Sequence, residues 1–419
     1  MLTEIRQESF ASIYAELEHE FPDRPWCKQI TRLGYGMKET PVSTEWLQTS
    51  YVLSYGLNEY HLHGLQPSSA AWPSVLEAMK LVGQALHLLE SGAVGGPESL
   101  KARLLAAFKE PDEYRSLSFE LFVANHFHIR GVDIEWPDEH SGIETFDLLV
   151  HDPVIGAVEV ECKTFSVDKG DALPIASIDA FANKLIRFLE PELCLEPDQL
   201  VCVSVVFNQK IPKKPKELDA LIGSISECLF ERKNLDDGLP IDISGICEIS
   251  IRGALMEGFP FDQRGCHWQE AMDMLLGSQV PKCQPRTYAK HLLNGGGLGL
   301  RVDTTIPSKL DDRIMNESKR AIRSQMTGTR PGVLILKVER ESDLTLEASA
   351  RDSENRYRTL AEKLMKSSKN SHLSGVVFVS APRWARVSQT VHKPRSSAYY
   401  FDNENCHYTP ISLARFFNP

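Results

Sequence analysis

Between Phe146 and Lys163 the chain reads Phe-Asp-Leu-Leu-Val, then His-Asp-Pro-Val-Ile-Gly, then Ala-Val-Glu-Val-Glu-Cys-Lys, and this stretch restricts the fold more than any other. The pattern is that of two strands joined by a short turn. Strict alternation in the second half sets Val158, Val160 and Cys162 on one face and Glu159, Glu161 and Lys163 on the other. Residues two apart on a strand lie roughly 6.5–7 Å from each other. Glu161 and Lys163 therefore both reach one small object on the sheet, and Asp147 approaches it from the neighbouring strand. A metal ion with its water is such an object. The competing reading is a solvated ion-pair face on an edge strand, worth about a few tenths of a kcal/mol.

The triplet Glu-x-Lys is common by itself, and it recurs at Glu231–Lys233 and Glu317–Lys319 in stretches that read as helix ends or helix surface. Only the copy at 161–163 lies in an apolar-alternating strand behind an acid-bearing one.

A helix is expected from Asp112 to Phe127 or His128, stopped by Arg130-Gly131. Its buried stripe is Leu117, Leu121, Ala124 and Phe127, and Glu120 falls between Ala124 and Phe127 on the helical wheel. A carboxylate there either sits at the stripe's edge and finds a backbone donor, or points across the sheet at the object held by Glu161.

The rest of the chain frames this core. Residues 1–108 read as a helical region, clearest at Glu4–Phe21 and Trp72–Glu90, with Tyr60–His63 alternating like a strand or turn. Nothing in that region carries chemistry by its sequence. Residues 109–255 read as an α/β core: the helix, a strand at Val132–Trp136, the hairpin, a helix at Ile175–Leu189, a strand at Gln199–Phe207, a helix at Pro215–Phe230 and a strand at Ile246–Gly253. Residues 256–419 alternate strand and helix (Leu300–Ile306, Ser308–Met326, Gly332–Glu339, Glu354–Lys369, Gly375–Ser380, then short strands at Tyr399–Tyr408) and either extend the first sheet or form a second α/β domain. The expected class is α/β, a mixed sheet flanked by helices.

Composition narrows the function. No window approaches the ~18 uninterrupted apolar residues of a membrane span, and the nine cysteines never stand in Cys-x-x-Cys spacing, as in a reducing, cytosolic setting. Cys266, His267, Cys283 and His291 match no zinc-ligand spacing. The glycines at 295–299 lack the Lys-Ser/Thr of a phosphate loop. A net charge of −11 argues against a general polyanion-binding surface. It leaves room for a local basic groove, and basic clusters lie at Lys210–Lys216, Arg313–Arg323 and Arg383–Arg395.

Taken together, Asp147, the turn, Glu161-Cys162-Lys163 and the preceding helix with Glu120 resemble the PD-(D/E)XK, or restriction-endonuclease-like, nuclease superfamily over about Asp112–Phe207. The resemblance implies that Asp147 and Glu161 bind a divalent cation with the Cys162 backbone carbonyl. It further implies that Glu120 adds to the metal shell, and that Lys163 positions or helps deprotonate the attacking water and offsets phosphorane charge. Phe146, not Pro, precedes Asp147, a departure from the pattern. Oxygen ligands favour Mg²⁺ or Mn²⁺ over zinc. The expected activity is metal-dependent phosphodiester hydrolysis, as a DNA endonuclease more than one acting on RNA, in restriction or anti-phage defence. The alternative is a nucleic-acid-binding protein that keeps the scaffold without cutting. A homo-oligomer or a protein partner is compatible with either.

Overall fold

The computed structural model describes residues 5–38, 50–68, 71–91, 97–137, 146–166, 169–193, 195–231, 240–257, 266–277, 286–292, 296–339, 342–352, 355–381, 383–408 and 412–417. The protein is mixed α/β and divides into two compact units, one of Met1–Gly36, Glu45–Val167 and Asp311–Pro419, the other of Met37–Thr44 and Asp168–Leu310.

The first unit opens with a two-residue strand, β1 (Ile5–Arg6), and the helices α1 (Phe10–Glu20), α2 (Pro25–Lys38), α3 (Val52–His63), α4 (Trp72–Ser91), α5 (Pro97–Ala107) and α6 (Pro111–Ile129). Tyr60–His63, expected as a strand or turn, is the last turn of α3; its alternation is too short to outweigh the helical run before it. The meander β2 (Asp133–Glu135), β3 (Leu148–Asp152) and β4 (Gly156–Phe165) follows.

The second unit inserts at this point. It holds α7 (Ile175–Leu189), β5 (Gln199–Phe207), α8 (Pro215–Glu231), β6 (Ile241–Ile243), β7 (Cys247–Leu255), α9 (Cys266–Leu276), β8 (Arg286–His291) and β9 (Gly297–Thr304). Its sheet has the order β6-β7-β5-β9-β8. Helices α7 and α8 cover one face through Phe181, Leu185, Leu221 and Ile225, while α9 covers part of the other through Ala271, Met272 and Leu276. Two of the glycines in the 295–299 run, Gly297 and Gly299, stand in β9. At Gly299 a Cβ would meet the Met272 sulfur at 2.9 Å, so any larger residue there would push the Met272 side chain aside.

The chain returns to the first unit with α10 (Leu310–Ser324), β10 (Gly332–Val338), α11 (Asp343–Arg351), α12 (Arg356–Met365), β11 (Leu373–Val379), β12 (Arg383–Arg386), β13 (Val391–Arg395), β14 (Ala398–Asp402) and α13 (Ala414–Phe417). Its main sheet has the order β14-β11-β10-β4-β3-β2. Strands β4, β10 and β11 are parallel, and the pairs on either side are antiparallel. A smaller sheet joins β1, β13 and β12.

The strand expected to follow the hairpin in the core, Gln199–Phe207, is therefore not in the hairpin's sheet. The parallel neighbour of β4 is β10, with Glu161 opposite Leu334 and Lys163 opposite Leu336. Both candidates are continuous apolar runs suited to a doubly covered strand, and nothing local distinguishes them. The order of helix, three strands, helix and strand is filled by α6, β2–β4, α10 and β10, and the boundary expected near residue 255 cuts through the inserted unit.

Helix α6 differs from the single stripe read in the sequence. Leu117 and Leu121 join the core of the N-terminal helices with Phe10, Trp26, Val82 and Phe108. Phe119, Val123, Ala124 and Phe127 pack on the sheet against Leu148, Val160, Cys162 and Ile335. A helix covered on two sides leaves little room for a solvated face, and Glu120 is 4 % exposed. Among the described residues no helix is long and apolar enough to cross a membrane.

Candidate active site

Strand β4 lies between β3 and β10, and Glu159 and Glu161 are both 0 % exposed. This excludes the solvated ion-pair face on an edge strand. The alternation holds, but the acidic face is as buried as the apolar one, so each carboxylate there needs a partner or a purpose.

Asp147 stands just before β3, where the β3–β4 ladder has ended at the pair Leu148 and Val160. Its side chain takes over the next position: the Cys162 backbone N–H donates to Asp147 Oδ2 at 2.7 Å. The N–H and C=O of one residue in a strand project to the same side, so the Cys162 carbonyl also faces the Asp147 edge. The Cys162 thiol is in the apolar core with Val160 and Ile335, and burial followed by the nearby carboxylates pushes its pKa up. Any ligand role for Cys162 belongs to its carbonyl.

Glu161 is in contact with Lys163, whose Nζ forms an ion pair with Oε1. Its polar neighbours are this ammonium and the Asp147 backbone N–H, and neither makes a hydrogen bond of regular geometry to it. Burial, opposed by Lys163 and reinforced by Glu120, pushes the Glu161 carboxyl up to about 7. The pKa of Asp147 is also well above the ordinary aspartate value, through burial and then the charges of Glu120 and Glu161. Burial works against the Lys163 charge, but Glu161 and Asp147 outweigh it and hold its pKa above that of a free lysine. The Lys163 side chain keeps 27 % of its surface accessible, so the group open to an incoming substrate is the cation.

Glu120 shares the electrostatic field of Asp147 and Glu161, yet its carboxylate is gripped from another direction. Arg103 on α5 donates from Nη1 to Oε2 at 2.6 Å and from Nη2 to Oε1 at 2.9 Å, and from Nε to Glu113 Oε1 at 2.8 Å. This two-pronged pair is the strongest form of side-chain ion pair. Sequence reasoning missed Arg103, which lies in the region read as carrying no chemistry. The available signal was Glu120 itself: a carboxylate in an apolar stripe requires a cation, though nothing local says which one.

Glu159, two residues before Glu161 on the same face, is satisfied. Thr327 N donates to Oε2 at 2.9 Å, Thr327 Oγ1 donates to Oε1, and Arg330 Nε donates to Oε1 at 3.3 Å. The Arg330 guanidinium also lies over the Phe146 ring, 5.4 Å from its centroid.

Among the described residues no three His, Cys, Asp or Glu side chains converge closely enough to hold a metal ion as they stand. Asp147, Glu161 and the Cys162 carbonyl form an all-oxygen set suited to a hard cation, and the poorly satisfied Glu161 oxygens are what such a cation would satisfy. Both Glu120 oxygens accept from Arg103, which fixes where the carboxylate can meet such a cation. The zinc reading at Cys266, His267, Cys283 and His291 involves side chains outside the described residues. The chain matches no family model, no curated protein and no solved structure.

Proposed function

We propose that the protein is a metal-dependent nuclease with a restriction-endonuclease-like core of the PD-(D/E)XK type, acting on DNA in preference to RNA. The observation that carries this reading is Glu161: fully buried, partnered by Lys163 and the Asp147 backbone without a hydrogen bond of regular geometry, and raised in pKa beside Asp147. A protein retains such a poorly satisfied carboxylate at a cost of stability when the site binds something that satisfies it.

Asp147, Glu161 and the Cys162 carbonyl would hold Mg²⁺ or Mn²⁺, and Glu120, kept in place by Arg103, would reach it through water. The cation supplies Lewis-acid stabilisation and a lowered pKa for water. Lys163 is protonated at neutral pH and acts as a donor. It orients the attacking water and offsets the charge on the phosphoryl oxygens as the new P–O bond forms and the bond to the leaving strand breaks. Restriction or anti-phage defence in the cytoplasm is the biological setting that goes with this reading, by analogy of fold.

A second reading is a nucleic-acid-binding protein that keeps the scaffold without cutting. It is favoured by the grip of Arg103 on Glu120 and by the lack of a three-ligand cluster among the described residues. Incubating supercoiled plasmid and a single-stranded RNA with the protein in Mg²⁺, Mn²⁺ or EDTA decides between them. Cleavage that EDTA and Lys163→Ala both abolish supports the nuclease. Binding without cleavage under all these conditions supports the second reading.

A further inference from the structure

The basic cluster Arg313–Arg323 lies on α10, a helix that leads toward the candidate site. Ile314, Ser318, Ala321 and Ile322 are buried, whereas Arg313, Arg320 and Arg323 are exposed along one stripe of spacing seven and three. Among the described residues neither Arg320 nor Arg323 enters an ion pair, and the acids Asp311 and Asp312 stand at the opposite end of the helix. The helix dipole favours cations in a last turn. A dipole has no bearing, however, on the polar turn into which this helix runs.

Beyond Ser324 the chain makes a tight turn and enters β10 at Gly332, which is paired with Glu159. The turn is pinned from below. Glu159 binds Thr327 and Arg330, the Thr327 and Thr329 hydroxyls are 2.7 Å apart, Thr329 N donates to Thr327 Oγ1 at 3.1 Å, and Tyr408 Oη donates to Gly328 O at 2.8 Å. Gly328 has φ +75°, a left-handed conformation that suits glycine. The turn is thus fixed to the strand that carries Glu161 and Lys163, with Thr327 and Thr329 facing solvent. Arg330 ends the line over Phe146, the residue before Asp147.

We infer that Arg320, Arg323 and Arg330, on the helix and on the turn that Thr327 and Thr329 hold in shape, form a track for a nucleic-acid backbone leading to Asp147, Glu161 and Lys163. Guanidinium groups are the side chains that phosphates recruit in pairs of hydrogen bonds. The track gives an acidic protein the local basic groove that a polyanionic substrate needs, and its rigid attachment through Glu159 sets the substrate's register relative to Lys163. This inference rests on the nuclease reading and names the surface that reading requires.

The test is fluorescence anisotropy of a labelled DNA duplex, and of a labelled single strand, with the full chain in EDTA across a salt series. The wild type is compared with Arg320→Gln/Arg323→Gln and with Lys210→Gln/Lys213→Gln from the inserted unit. The arginines are exposed, so the double variant folds, as circular dichroism verifies. Each phosphate contact contributes about 0.9 to the slope of log K against log salt on a duplex. The arginine variant should lose about 1.8 of slope, which is about 60-fold in affinity at 0.1 M salt if the electrostatic contribution vanishes at 1 M; the lysine variant should match the wild type. If the wild type binds and the arginine variant keeps its affinity and slope, the track is wrong while the nuclease reading stands. If the wild type binds neither probe at low salt, the nuclease reading fails and takes the track with it.

Discussion

Replacing Glu161 by Gln tests the metal-site reading through stability, without requiring an activity. The Glu161 carboxyl has an ordinary pKa of 4.5 and is raised to about 7 in the fold. Between these values the unfolded chain releases a proton that the folded chain keeps. Stability therefore falls as pH rises from about 4.5 to 7, and the deficit persists above 7. At about 1.4 kcal/mol per pH unit the difference amounts to an upper bound of about 3 kcal/mol. Glutamine has nearly the same shape and does not ionise, so it removes this penalty. Against it stands the lost ion pair with Lys163, which retains Asp147 as a neighbour. The net expectation is a gain on the order of 1 kcal/mol at pH 8 in EDTA, or about 1–2 °C in melting temperature for a unit of this size, and no gain below pH 4.5. Thermal melts of both proteins at pH 4.5, 6 and 8 read this directly. Millimolar Mg²⁺ should then stabilise the wild type by mass action and the variant much less. A Glu161→Gln protein that melts well below wild type at pH 8 in EDTA, with no Mg²⁺ shift in the wild type, would refute the reasoning.

The same geometry sets three further outcomes. Lys163→Ala should abolish cleavage with the circular dichroism spectrum unchanged, since the side chain is partly accessible and the core partners of β4 are untouched; cleavage at near the wild-type rate would remove Lys163 from the chemistry. Glu120→Ala should reduce the rate less than Asp147→Ala does, because both Glu120 oxygens are taken by Arg103; equal losses in a plasmid assay would make Glu120 a direct ligand. Arg103→Ala leaves the buried Glu120 without its two-pronged cation and should cost about 3–5 kcal/mol, read as a lower urea midpoint at pH 7, with most of the loss restored by adding Glu120→Gln.

What was legible in the sequence was what depends on period. Alternation over 157–163 placed Glu159, Glu161 and Lys163 on one face, and the apolar run of Gln199–Phe207 marked a buried strand. Partnership was not legible. Two equally apolar runs, 199–207 and 332–338, compete as the neighbour of β4, and only long-range packing selects the second, which lies beyond a whole inserted unit. The same limit hid Arg103 and Arg330, since both act on carboxylates far away in the chain. Burial was not legible either: alternation alone left a solvated ion-pair face open as the competing reading, and the complete burial of Glu159 and Glu161 decides against it.

Two glutamates on β4 differ in little but their partners. Glu159 and Glu161 share a strand and a face, and each is 0 % exposed. A buried carboxylate costs several kcal/mol unless its lone pairs are filled. At Glu159 they are filled, by a backbone N–H, a hydroxyl and a guanidinium from one turn. At Glu161, one repeat of the pleat away, the partners are a lysine and the Asp147 backbone N–H, and neither makes a regular hydrogen bond. The fold therefore has the means to satisfy a glutamate on this face and uses them at the first position. Had Glu161 served structure alone, a donor like Thr327 beside it, or an apolar residue in its place, would stabilise the strand. Its retention beside Asp147 and an accessible Lys163 fits a group whose partner arrives from solution, and the Mg²⁺-dependent melt of the wild type is where that partner would first be seen.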